Sequence, residues 1–112
     1  MTEQEDVQNL MMEMQQNQQQ VQQVTQQKEE TDSEIQEIEK ALDELENDQN
    51  DEFYRQVGKI LVSKDRDQLK EELEDRKEDL ELRKKTLEKK EDKLQKKIQE
   101  SRQKFTQNMQ GE

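Results

Sequence analysis

The chain has 112 residues, 25% hydrophobic and 44% charged, with a formal net charge of −11 and no proline, cysteine, histidine or tryptophan. A compact domain is about 45–50% apolar, so a broad globular core is excluded; what remains is disorder, or long helices joined along a narrow apolar seam. Without Cys or His there is no disulfide, thiolate nucleophile, ordinary zinc site or imidazole for acid–base work, and no apolar run approaches the roughly 20 residues of a membrane span.

The first 27 residues are acidic and glutamine-rich, unlike a signal or transit peptide, and this points to a soluble cytoplasmic protein with no membrane association. From Val7 to Leu45 the apolar residues keep a heptad. Positions 7, 14, 21, 28, 35 and 42 read Val, Met, Val, Lys, Ile and Leu; positions 10, 17, 24, 31, 38 and 45 read Leu, Asn, Val, Thr, Ile and Leu. Nine of these twelve are apolar, which predicts a coiled-coil helix over 7–47, interrupted at Asn17, Lys28 and Thr31. Nine glutamines in residues 15–27 would suggest disorder if isolated. Val21 and Val24 hold the phase through them, and glutamine is a good helix former, so the tract reads as a polar helix face.

Residues 48–52 carry no apolar side chain and read as a linker. Residues 53–64 follow as a β-hairpin, with FYRQV and ILVS on either side of Gly58-Lys59, and Gly58 supplies the positive φ that a two-residue turn requires. This turn would pair Val57 with Ile60, Gln56 with Leu61, Arg55 with Val62 and Tyr54 with Ser63. Apolar groups then fall on both faces, so the hairpin needs a partner sheet; the alternative is an isolated turn that caps the helices.

A second helix is expected over 67–107, with Asp65 or Asp67 as its N-cap and a tail at 108–112. Its stripe is Leu73, Leu80, Leu87 and Leu94, preceded by Leu69; the companion seam row reads as Arg76, Arg83, Lys90 and Lys97. Ile98, Phe105 and Met109 extend an apolar face, and Gly111 would end the helix. Charge is unevenly spread: residues 1–52 hold 16 acidic and 2 basic side chains, and residues 83–112 hold 5 and 10. Folding the helices back on each other sets the glutamine-rich, acidic residues 1–27 against the basic C-terminal third, which predicts internal neutralisation rather than a nucleic-acid surface. Catalysis is not expected, because the serines lack an activating base, two glycines cannot build a phosphate loop, and no EF-hand pattern occurs. No metal or cofactor is implied.

A helical hairpin with one β-hairpin at its bend resembles the beta-type subunit of prefoldin, in its archaeal form. The similarity is carried by Tyr54-Arg55-Gln56-Val57-Gly58-Lys59-Ile60-Leu61-Val62, which matches the family's aromatic-basic-x-x-Gly-x-[Ile/Val]-Leu-Val run. It continues in Leu69 and Leu73, in LELRKKTLEKKEDKLQKKIQE (80–100), and in the opening VQNL and QQNQQQ segments. One hairpin rather than two points to the beta type.

The resemblance implies a mainly α fold: a long antiparallel coiled-coil hairpin in a single prefoldin-like domain over 1–112, assembling into a hetero-hexamer of two alpha-type and four beta-type subunits around a β-barrel. It implies a cytoplasmic, ATP-independent chaperone for unfolded proteins that passes clients to a group II chaperonin. The assembly residues would be Phe53, Tyr54, Val57, Gly58, Ile60, Leu61 and Val62. Client-binding tips would be built from Met1, Val7, Leu10, Met11, Met12, Met14, Ile98, Phe105 and Met109, methionine being suited to promiscuous apolar contact. The competing reading is a structural coiled coil that spaces or tethers partners, with the central segment an ordinary turn.

Overall fold

In a computed structural model that describes residues 3–110, helix α1 (Glu3–Asn47) is followed by strands β1 (Glu52–Val57) and β2 (Ile60–Asp65) and helix α2 (Arg66–Gln110). The fold is two long helices with a small antiparallel β-hairpin between them. Both helices are continuous through the glutamine tract and the polar interruptions of the heptad. The strands reach one residue further at each end than the pattern suggests, and α2 begins at Arg66 because Asp65 Oδ1 accepts the Gln68 backbone N–H at 2.8 Å. That is an N-cap bond to the third helical residue, typically worth about 1 kcal/mol. No helix among the described residues is long and apolar enough to cross a membrane.

The chain divides into two compact units. The hairpin unit comprises Glu30–Lys84. It buries Thr31, Ile35, Leu45 and Leu80, with Ile38, Leu42, Leu69 and Leu73 half-buried beside them. Ion pairs cross this seam: Lys84 to Asp32 at 2.7 Å, Lys77 to Glu39 at 3.4 Å and Arg76 to Glu34 at 3.1 Å. The first two step seven residues up one helix and seven down the other, as antiparallel helices must.

The terminal unit comprises Met1–Glu29 with Lys85–Glu112. Its core is Val24, at 2% exposure, with Leu87, Leu94 and the neighbouring Val21. Glu91 answers the lysine at the seam: Lys28 Nζ donates to its Oε1 at 3.3 Å, and Thr25 Oγ1 donates to its Oε2 at 3.2 Å. Asn17 is also buried, at 8%, and its Nδ2 has no hydrogen-bond partner.

Two expectations need correcting. The second seam row of α2 is not Arg76, Arg83, Lys90 and Lys97, all of which are exposed. The row lies one residue later, at the half-buried Lys77, Lys84, Glu91 and Phe105 and the buried Ile98. A seam alternates steps of three and four, and the step of four after each leucine is the one that also captures Ile98 and Phe105. Nor are the charges neutralised by pairing acidic residues 1–27 with the basic stretch 83–112. The cross-helix pairs use acids from Asp32 to Glu39 and Glu91, and among the described residues no cation beyond Lys84 forms an ion pair. The cause is composition: α1 has no carboxylate between Glu13 and Glu29.

Candidate functional site

The hairpin supplies the first candidate surface. Gly58 has φ +61° and Lys59 does not have positive φ, which identifies a type II′ turn, whose twist matches that of paired strands. The register is Tyr54–Ser63, Arg55–Val62, Gln56–Leu61 and Val57–Ile60, as the turn requires. Side chains alternate across the strands, so Phe53, Val57, Ile60 and Val62 share one face while Tyr54 and Leu61 share the other.

The base of the hairpin is anchored by residues the sequence does not advertise. The Arg66 guanidinium lies 5.7 Å from the Phe53 ring centroid. Its Nη2 donates to the carbonyl of Asn50 at 2.6 Å and to that of Asp48, holding the segment that follows α1. That segment is itself turned by the Asn50 N–H donating to Asp48 Oδ1 at 3.0 Å. A cation at the first position of a helix opposes the helix dipole, and this misplacement was the available sign that Arg66 has work elsewhere. Glu72 accepts from Arg55 at 2.7 Å and from Lys64, so each strand is tied to α2 through one carboxylate. The Lys64 hydrogen bond is the main cause that holds the Glu72 carboxyl below its ordinary range; desolvation opposes it as the next-largest effect, and the Arg55 hydrogen bond and the two positive charges add to the lowering.

Beyond that anchored base the hairpin is bare. Ile60 and Leu61 are 67% and 66% exposed, and Tyr54, Val57 and Val62 are exposed as well; Phe53 alone among the expected assembly residues is half-buried. Gly58 has open space around its missing side chain, so only its φ demands glycine.

The terminal unit supplies the second surface. Val7, Leu10, Met14 and Phe105 are half-buried, whereas Met11 and Met12 are 49% and 59% exposed. Met11, Met14 and Phe105 are brought together around an open cavity of about 230 Å³ that Gln15 and Gln18 also line. The two glutamines escape sequence reasoning because they look like the rest of the polar tract. Ile98 belongs elsewhere: at 6% exposure it is part of the seam, one step along the row that also holds Phe105, and offers no free surface. Met1 and the side chain of Met109 lie outside the described residues, as does Gly111. Among the described residues no group of acidic side chains is arranged to hold a metal ion.

Three comparisons bear on these surfaces. A family model described as "Prefoldin subunit" matches residues 8–112. The crystal structure of the prefoldin beta subunit from Thermococcus strain KS-1 is similar at 37% sequence identity and a TM-score of 0.81, over 89% of this chain and 89% of that one. The comparison with curated proteins gave no match.

Proposed function

This chain belongs to the prefoldin family as a beta-type subunit, a chaperone subunit, and we propose that it captures non-native proteins at the tips formed by its chain ends and passes them, without ATP, to a group II chaperonin. In this reading residues 1–112 act as one prefoldin-like domain in the cytoplasm, within a hexamer of two alpha-type and four beta-type subunits centred on a β-barrel. The hairpin supports the assembly half of the proposal. A lone pair of strands is marginal in water and its edges template further strands. Five exposed apolar side chains on such a pair are a surface that another hairpin would cover.

The observation that carries the client-binding half is the exposed Met11 and Met12 beside the cavity of Met11, Met14 and Phe105. The seam needs Met14 but not Met11 or Met12. Flexible, polarisable thioethers adapt to many apolar partners, and several such tips in one assembly add avidity to weak contacts. The test is light scattering from a denatured protein diluted into buffer with this chain and an alpha-type partner, intact or lacking residues 1–12 and 105–112. The intact complex should suppress aggregation, and the truncated one should assemble but fail to suppress it. Equal suppression by both would move the client site away from the tips, and suppression by neither would favour the tether.

A further inference from the structure

In the terminal unit, α2 presents a flank of lysines that the fold leaves unneutralised. Lys89, Lys93 and Lys96 follow at steps of four and three, and Lys90, Lys93 and Lys97 at steps of three and four, so the five share one side of the helix. All five are exposed, and among the described residues none forms an ion pair or hydrogen bond. Asp92 and Glu100 border the stripe without pairing into it. Across the seam α1 offers glutamine, with no carboxylate between Glu13 and Glu29. An uncompensated row of cations repels itself, and it is most simply relieved by an anionic partner. The same unit carries the apolar cavity and the exposed methionines.

On the reading that this unit holds non-native chains, we infer that the lysine stripe selects among them, favouring unfolded segments in which Asp and Glu accompany the apolar residues. Apolar contact at Met11, Met14 and Phe105 provides a grip that any unfolded chain can use, and the stripe adds the preference. A single-stranded nucleic acid fits less well. The stripe has no aromatic side chain on which bases could stack, Phe105 being half-buried at the cavity, and the chain as a whole is strongly acidic.

Each exposed charge pair changes affinity by a factor of about 1.5 to 5, so several engaged together should give about tenfold. The experiment uses the complex assembled with an alpha-type subunit and three labelled, unstructured peptides with identical apolar residues, separated by Asp, Lys or Ser. Fluorescence anisotropy at low salt should show the Asp peptide binding about tenfold more tightly than the Lys peptide, with the ratio falling towards one as salt shortens the screening length. The triple variant Lys90→Gln, Lys93→Gln, Lys97→Gln, which keeps good helix formers, should weaken the Asp peptide and leave the Ser peptide unchanged. Equal affinity for the Asp and Lys peptides, or a preference that survives in the triple variant, would overturn the inference. So would a single-stranded RNA of the same length that outcompetes the Asp peptide. Failure of all three peptides to bind would instead overturn the client-holding reading on which it rests.

Discussion

The hairpin unit and the terminal unit are built on the same kind of helical seam but expose apolar surface in opposite ways. In the hairpin unit the exposed groups are β-branched, aromatic or leucine side chains on hydrogen-bonded backbone, with Arg66, Glu72 and Asp65 fixing the base. Their positions are set before any partner arrives, which suits one complementary surface. In the terminal unit the exposed groups are methionines on a glutamine-rich helix, with three rotatable bonds each and an open cavity beside them. Charge divides along the same line. Residues 30–84 hold 20 acidic and 10 basic side chains, a net of −10, and the remaining residues hold 10 and 9, a net of −1. A narrow seam leaves most of each helix free for such surfaces, so one chain can present a rigid one and an adaptable one at little cost to its core.

The sharpest way to break the comparison is to charge the rigid surface. Ile60→Asp places a carboxylate on a side chain that is 67% exposed, so the folded chain itself should lose little. If the hairpin is covered on assembly, that carboxylate must be buried at a cost of several kcal/mol, enough to abolish the complex. The expected result is loss of the hexamer by size-exclusion chromatography with light scattering, and retained helicity by circular dichroism. A variant that stays hexameric would remove the barrel from the proposal. A comparable change in the adaptable surface, such as Met12→Asp, should leave assembly intact.

The second test compares the seams. Asn17 interrupts the terminal unit's core with a buried amide nitrogen that has no partner; in the hairpin unit the comparable atom among the described residues is Arg66 Nε, at the base of the hairpin. Replacing an unsatisfied buried donor by an apolar group removes its desolvation cost, so Asn17→Leu should stabilise the chain by about 1–2 kcal/mol in thermal melts. If Asn17 serves to fix the pairing register, the same variant should also populate off-register species, visible as extra oligomers. A lower melting temperature would show that the site cannot accept the larger side chain.

How much of this could be read in advance follows from which signals are local. The hairpin was legible residue by residue, because a two-residue turn at Gly58-Lys59 dictates every pair that follows. The heptad of α1 was legible because apolar residues fill most of its positions. The seam of α2 was legible only in its leucine row. Its second row is occupied by Lys77, Lys84 and Glu91, whose stems lie along the seam while their heads pair outwards, so hydropathy reads them as surface. The choice between steps of three and four then rests on Ile98 and Phe105, which the sequence presents equally well as tip residues. The unneutralised lysine stripe is hidden for a related reason: the total over residues 1–52 does not show that the acids of that half lie mostly after Glu29. Arg66 and Glu72 were invisible because their roles depend on three-dimensional convergence of the linker, both strands and α2.

The smallest expected effect tests the anchoring that makes one surface rigid. Glu72 is held ionised by Lys64 first and Arg55 second, so its carboxyl in the folded hairpin unit titrates below the ordinary glutamate value of 4.5. A depressed folded pKa means that the ionised form favours the folded state. Its contribution is therefore fully present above the unfolded pKa and is lost as pH falls through the folded one. The hairpin should loosen as pH is lowered below about 4.5, seen as faster amide exchange of Arg55 and Val62, a hydrogen-bonded pair of the strands that Glu72 ties to α2. Glu72→Gln removes the ionisable group, so the variant should exchange faster than the parent near neutral pH and converge with it in acid. The partly exposed pair is also screened by salt, so added salt should narrow the neutral-pH difference. Equal exchange in parent and variant at neutral pH would mean that strand pairing and the Arg66 contacts hold the hairpin without Glu72.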